Sequence, residues 1–162
     1  MVDSQEGTGR TLVGVVSDTH GLVRPALVEA LAGCDLIVHA GDVGRAEVLD
    51  ALGAVAPVVA VRGNMDAGRW AQGLRPTEVV EVGEALLYVL HDLGQLGLDP
   101  AAAGLSAVIS GHTHQAAIHE RNGVLYLNPG SAGPARKKPP PSMALMQVEG
   151  KRVEAQVVIL KK

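Results

Sequence analysis

TLVGVVSDTHGLVRPALVEALAGCDLIVHAGD, residues 11–42, alternates apolar runs with turn-forming residues, and its reading decides the fold. Thr11–Ser17 is nearly continuous in Val and Leu, as expected of a strand buried on both faces. Pro25–Leu31 reads as a helix with proline near its start, a position where the missing N–H costs nothing. Leu36–Ala40 is a second strand, Arg45–Leu52 a second helix and Pro57–Val61 a third strand. This β-α-β-α-β order predicts a parallel sheet with right-handed crossovers.

After residue 76 the pattern changes. Glu78–Val82 and Ala85–Leu90 are joined through Gly83-Glu84 and read as a hairpin. Asp99–Leu105 begins with an Asp-Pro signal and reads as a short helix. Ala107–Ser110, Gly123–Leu127, Met143–Val148 and Val153–Leu160 are strand-like, with turns at Asn122-Gly123 and Glu149-Gly150-Lys151. A parallel half therefore precedes a largely antiparallel half. The expected fold is α/β, with two packed mixed β-sheets flanked by helices in an α-β-β-α sandwich. A single domain over residues 11–162 is expected, preceded by a flexible N-terminal tail over 1–10. Ala135–Pro141 (ARKKPPP) reads as a stiff extended loop.

Composition narrows the function classes. Hydrophobic residues make up 47% of the 162 and charged ones 19%, which excludes disorder for most of the chain. There is no Phe, and the only aromatics are Trp70, Tyr88 and Tyr126, so the core is built from Val, Leu, Ile and Ala. A net charge of −3 gives no basic stripe for nucleic acid. Cys34 is the only cysteine, which rules out an intrachain disulfide and fits a reducing compartment. No apolar run approaches the ~20 residues of a membrane span, and Met1–Arg10 does not resemble a signal peptide. The expected location is the cytoplasm.

The chemistry lies in an ordered series: Asp18-Thr19-His20, Gly41-Asp42, Gly63-Asn64-Met65-Asp66, His91, and Gly111-His112-Thr113-His114. Most of these follow an apolar run directly. In an α/β fold the carboxyl ends of the strands converge on one crevice, so residues far apart in sequence meet there. Two aspartates, an asparagine and four histidines supply oxygen and nitrogen ligands for two divalent ions, with no soft sulfur among them. His-x-His on a strand would place both imidazoles on one face. Each motif alone is weak; the five together in order are specific.

These motifs, with Gly-Asp-Val after the second strand and Asn128-Pro129-Gly130-Ser131, resemble the calcineurin-like metallophosphoesterases, in particular their small bacterial and archaeal phosphodiesterases. The similarity runs from about Leu12 to Leu160. It implies a β-sandwich with helices on each outer face. It also implies a first metal held by Asp18, His20, Asp42 and His114, and a second held by Asp42, Asn64, His91 and His112, with Asp42 bridging. Asp42, Asn64 and His112 would carry the catalysis, while Asn64 and Arg136 would meet the substrate. Two ions ~3.5–4 Å apart clamp a phosphoryl group and acidify a shared water near neutral pH. With two formal anions against two divalent ions the cluster stays at about +2, so the ions reverse the sign of the site. Manganese is the first expectation for the metal, with iron, nickel, zinc and magnesium as alternatives.

Other residues have two readings. His39 reads as a core histidine or a support for a ligand, ahead of a direct metal ligand, and Asp66 either orients a ligand or stabilises its own turn. Trp70 stacks on a substrate base or packs in a subunit contact. Arg136, Lys137 and Lys138 reach the substrate or form a solvated loop. His119 should be exposed, and Cys34 semi-buried. Two departures from the family pattern stand out: Met65 replaces the His or Cys of the third motif, and Asp92 replaces the Gly after His91. The expected function is hydrolysis of a small phosphodiester by a two-metal enzyme, with no membrane or nucleic-acid partner and a homodimer compatible with the sequence. The alternatives are a non-catalytic scaffold on the same fold, like the retromer subunit of eukaryotes, and a phosphomonoesterase.

Overall fold

The computed structural model describes residues 9–134 and 139–161. Its first strand, β1 (Arg10–Val16), is followed by α1 (Pro25–Leu31), β2 (Leu36–His39), α2 (Ala46–Gly53) and β3 (Val58–Ala60). β1, β2 and β3 pair in parallel, as the order of elements demanded. Arg10, assigned to the tail in the sequence reading, opens β1 and forms an ion pair with Glu149.

The second half differs from its expected pairing. β4 (Thr77–Val82) and β5 (Ala85–Leu90) form the hairpin, but β5 then runs parallel to β6 (Ala107–Ile109), and β6 parallel to β8 (Val124–Asn128). An additional strand, β7 (Ala117–Arg121), pairs antiparallel with β8 along the edge. All five of its residues are exposed, so neither face carries the apolar alternation that marks a half-buried strand. β9 (Ser142–Glu149) and β10 (Arg152–Ile159) return to the first sheet beside β1. The sheet orders are β10-β9-β1-β2-β3 and β4-β5-β6-β8-β7.

Alternation along β1 explains the layering. Val13 and Val15 face the inter-sheet core with Val38, Leu87, Ile109, Leu127 and Met146. Leu12 and Val16 face the opposite way, into a second cluster with Leu27 and Leu31 of α1 and Val48 and Leu52 of α2. Both faces of β1 and β2 are therefore buried, which is why these strands read as unbroken apolar runs. The outer face of the second sheet has no α-helix among the described residues. Asp99–Leu105 is a run of turns, with Ala103 N–H donating to the Asp99 carbonyl and the Asp99 carboxylate capping Ala101 and Ala102. Gly104, at a φ of 77°, ends the segment before a second helical turn can form. The segment still covers a small third cluster of Leu90, Leu105, Val108, Val124 and Tyr126. No helix among the described residues is long and apolar enough to cross a membrane.

Candidate metal centre

The motifs lie just beyond the carboxyl ends of β1, β2, β3, β5 and β6. His112 and His114 are not on a strand: β6 ends at Ile109, and both lie in the turn after it. That turn separates the two imidazoles instead of aligning them. Backbone strain is concentrated here. Among the described residues, the non-glycines with positive φ are Asp18, His20, Asp42, His112, His114 and Asn122. Asn122 is in the hairpin turn with Gly123; the other five are candidate ligands. Such conformations persist only where surrounding structure fixes them.

Asp18 is wholly buried. Its Oδ2 accepts hydrogen bonds from Ser17 Oγ at 2.6 Å and His112 N at 3.0 Å. Its Oδ1 has no hydrogen-bond partner among the described residues. That free oxygen lies 3.2 Å from His114 Nε2, 3.7 Å from His20 Nε2 and 3.9 Å from His91 Nε2. The Asp42 Oδ1 accepts from Met65 N at 2.8 Å, while Oδ2 lies 3.3 Å from His91 Nε2 and 3.9 Å from His20 Nε2. Two compact groups result: Asp18, His20 and His114, and Asp18, Asp42 and His91. Both carboxylates therefore lie between the two halves of the cluster.

His91 shows what such a cluster requires. Its Nδ1 lies 2.8 Å from the Ala40 carbonyl, which can only accept, so Nδ1 carries the hydrogen. The buried Nε2 then has no hydrogen-bond partner among the described residues and faces both carboxylates. A carbonyl fixing one ring nitrogen while the other is presented is the usual arrangement of a metal-binding histidine. Divalent cations held by the two groups would satisfy both atoms, so these residues fit a metal. Burial is the strongest influence and disfavours the charged His91, but Asp42, the Ala40 carbonyl and the charge of Asp18 outweigh it and hold its pKa above the ordinary 6.5. For Asp42 burial acts upward, and contact with His91, the Met65 amide and the charges of His91 and His20 outweigh it, holding its pKa below 3.8.

Asn64 and His112 are farther out. His112 Nδ1 lies 3.2 Å from Asn64 Oδ1, and the His112 ring meets the His91 ring at 5.1 Å, nearly perpendicular. The two form an exposed pair on the rim, and His112 belongs to neither compact group. Arg136 lies outside the described residues, as do Lys137 and Lys138.

Four bracing residues tie the ligand loops together. His39 is fully buried, and burial with the nearby His91 charge brings its pKa down to about 3, so it is neutral. Gly41 N–H donates to its Nδ1 at 3.1 Å, and Thr19 Oγ1 already donates to the Val43 carbonyl at 2.8 Å. The 2.9 Å contact between His39 Nε2 and Thr19 Oγ1 is therefore donated by the histidine, which fixes the tautomer. Asp66 accepts from the backbone N–H groups of Val43, Gly44 and Gly63, joining the loops after β2 and β3. Asn128 donates to the Gly111 carbonyl and Thr113 Oγ1, and Ser131 Oγ donates to the Asp18 carbonyl. Two glycines let these loops approach closely. A Cβ on Gly63 would lie 2.1 Å from Asp42 N, and one on Gly111 would lie 1.9 Å from Ser17 Oγ.

Sequence reasoning missed Ser17, Thr19 and the groove beside His91 and His112, which Arg62, Thr77 and Gln95 also line. Arg62 had one available signal, its position directly before Gly63-Asn64. Trp70 is half-buried against the helix-side cluster, which gives it an intramolecular packing role. His119 is exposed, and stacks on Tyr126 with centroids 5.1 Å apart. Cys34 is buried, and that burial with the nearby Asp35 charge raises its thiol to about 11.

Comparison with known proteins agrees with this geometry. The family described as Calcineurin-like phosphoesterase superfamily domain matches residues 12–151. A probable metallophosphoesterase of Methanocaldococcus jannaschii is 37% identical over 93% of this chain and 82% of its own length. A phosphodiesterase of the same organism is 28% identical over 73% of this chain and 82% of its own. Among solved structures, Vacuolar Protein Sorting 29 from Cryptosporidium parvum superposes with a TM-score of 0.79 at 25% identity, covering 94% of this chain and 93% of that one.

Proposed function

The chain belongs to the calcineurin-like phosphoesterase superfamily, and from that premise we propose that it hydrolyses a small phosphodiester with two divalent ions. One observation supports the reading: two buried ligand atoms, Asp18 Oδ1 and His91 Nε2, face each other without hydrogen-bond partners among the described residues, where five strands end. Burying such atoms unpaired is costly, and a cation removes the cost. The diester specificity is supported by the archaeal relative named a phosphodiesterase.

In this reading Asp18, His20 and His114 hold the inner ion, and Asp42, Asn64, His91 and His112 the outer one, with Asp42 between them. Bound there, the ions would supply Lewis acidity and an activated water. The chain's own work is positional and electrostatic. Ser17 and the His112 amide turn Asp18 so that Oδ1 points inward, and the Met65 amide does the same for Asp42 Oδ2. Asn64 brings a neutral amide to the rim, so the site keeps an excess of positive charge for the phosphoryl oxygens. Arg136 is proposed as a further phosphate contact, manganese as the preferred ion and the cytoplasm as the location.

The test is metal analysis of the purified chain with turnover of an aryl phosphodiester across a series of divalent ions. Two bound equivalents and metal-dependent turnover are expected. The likeness to Vacuolar Protein Sorting 29 favours a second reading, a scaffold without turnover, and metal binding with no hydrolysis of diesters or monoesters would select it.

Two further results follow. His112→Ala and His114→Ala should weaken different ions, because His114 converges on Asp18 and His20 whereas His112 pairs with Asn64. Anomalous diffraction on each variant checks this; loss of the same ion from both would refute the pairing. Metal uptake should also release a proton from His91. The ion needs the deprotonated ring, so apparent affinity should climb with pH through the raised His91 pKa and then level off. The metal-free chain has the opposite slope. Its stabilisation from charged His91 is complete below 6.5 and disappears as pH rises through the higher folded value. Calorimetry in buffers of different ionisation enthalpy reads the proton, and an affinity that is flat between about pH 6 and pH 8 would refute the coupling.

A further inference from the structure

The family pattern has glycine after the fourth-motif histidine, and this chain has Asp92. Its carboxylate is held from behind, where Oδ1 accepts from Gly94 N at 2.9 Å as the cap of a short 3-10 turn, Leu93–Gln95. The other oxygen, Oδ2, faces His112 Nε2 at 4.0 Å. The opposite edge of the same imidazole presents Nδ1 to Asn64 Oδ1 at 3.2 Å. The ring thus lies between a carboxylate and a second ligand-type oxygen. Its backbone is fixed by its own N–H to Asp18 Oδ2 and by a φ of 73°.

We propose that Asp92 is a positioning residue for the outer ion, taking the Nε2–H of His112 so that Nδ1 is presented to a cation beside Asn64 Oδ1. The inference rests on the two-metal reading above. The physical logic is that of any metal-binding imidazole. A carboxylate on the far nitrogen fixes the tautomer, orients the ring and makes the near nitrogen a better donor. His91 obtains this service from a backbone carbonyl, Ala40. His112 lies on an exposed rim with no comparable carbonyl contact among the described residues, and Asp92 supplies an anion in its place. At 4.0 Å the pair is too far apart for a direct hydrogen bond, so a small rotation must close it. The side chains are 42% and 37% exposed, which leaves room for that rotation.

The experiment is calorimetric titration of Mn²⁺ into the metal-free full-length chain, with Co²⁺ absorption as a second readout of ligand geometry. Wild type should bind two equivalents. Asp92→Ala should weaken one of them ~10–100-fold and leave the other unchanged, the range expected when such a supporting carboxylate is lost. Asp92→Asn keeps an acceptor for the Nε2–H and should recover part of the loss. His112→Ala should weaken the same site, and the double variant should bind no worse than His112→Ala alone. Two sites of unchanged affinity in Asp92→Ala overturn the inference while the two-metal reading stands. So does equal weakening of both sites, or full additivity in the double variant. A wild-type chain that binds one equivalent overturns the two-metal reading, and the inference with it.

Discussion

Asp42→Asn is expected to lower kcat/KM on the order of 10³-fold, because loss of a bridging charge removes several kcal/mol of transition-state stabilisation. The substitution is nearly isosteric, so the fold should persist. Its amide oxygen can still accept from Met65 N, which anchors the side chain at 2.8 Å. The inner atom is what changes. Where Oδ2 faced His91 at 3.3 Å and His20 at 3.9 Å, an NH2 group would now point at both rings, and it cannot bind a cation. Both ions lose a ligand, and the cluster loses half of its formal negative charge. Metal analysis should show reduced occupancy at both positions, and the metal-free variant should melt below wild type at pH values where His91 is charged, because Asp42 favours that charge. Asp18→Asn should cost similar activity, since Oδ1 approaches three histidines, but it should also destabilise the metal-free chain. The buried Oδ2 is held by Ser17 and the His112 amide, and an Asn placed with its nitrogen there would oppose donor to donor. Two full equivalents of metal on Asp42→Asn, with turnover near wild type, would remove Asp42 from the bridge.

The first half of the fold was legible because local sequence and tertiary burial agreed. β1 and β2 are covered on both faces, one by the second sheet and the other by α1 and α2, so their apolar runs are continuous and bounded by turn residues. The second half was legible as strands but not as pairings. A strand's sequence states which faces are buried, and says little about which neighbour it accepts across a long connection. β9 and β10 form an obvious hairpin around Gly150, yet their place beside β1 is decided by the inter-sheet core that Ala144, Met146 and Val148 complete. β7 left no apolar trace, because its residues are exposed and it is held by hydrogen bonds to β8 and by His119 and Arg121 against Tyr126.

The site divides along a similar line. Ligand types and strand-end positions can be read from sequence, so Asp18, His20, Asp42, His91 and His114 were found as a set and do converge. What holds them cannot be read locally. Ser17 aims Asp18, His39 joins Thr19 to Gly41, and Asp66 joins Val43 and Gly44 to Gly63, each across a distance that only the folded chain closes. The alternatives left open for His39 and Asp66 are resolved by these bonds. Both act on the loops that carry ligands, and neither belongs to a compact ligand group.

Cleavage is expected to depend steeply on the leaving group, with activated aryl diesters hydrolysed well and alkyl esters poorly. Departure of an alkoxide is helped by a proton donor, and a general acid typically contributes ~10²–10⁴-fold. The family resemblance implies such a donor in the third motif of many members, at the position where this chain has Met65, whose thioether has no proton to give. Met65 is 65% exposed and serves the site through its backbone N–H, which anchors Asp42. Rates for a series of substituted aryl diesters should therefore fall steadily as leaving-group pKa rises, when chemistry is rate-limiting. Met65→His should recover only part of the missing factor. Asp66, the neighbouring carboxylate, already accepts from three backbone N–H groups through both oxygens, which leaves it poorly placed to orient a new imidazole. The backbone contact to Asp42 does not depend on the side chain at 65, so metal content should stay at two equivalents, which separates loss of the acid from damage to the metals. A flat dependence in wild type would show that another group supplies the proton. Asp92, at the edge of the groove that His91 and His112 also line, would then be the first residue to replace.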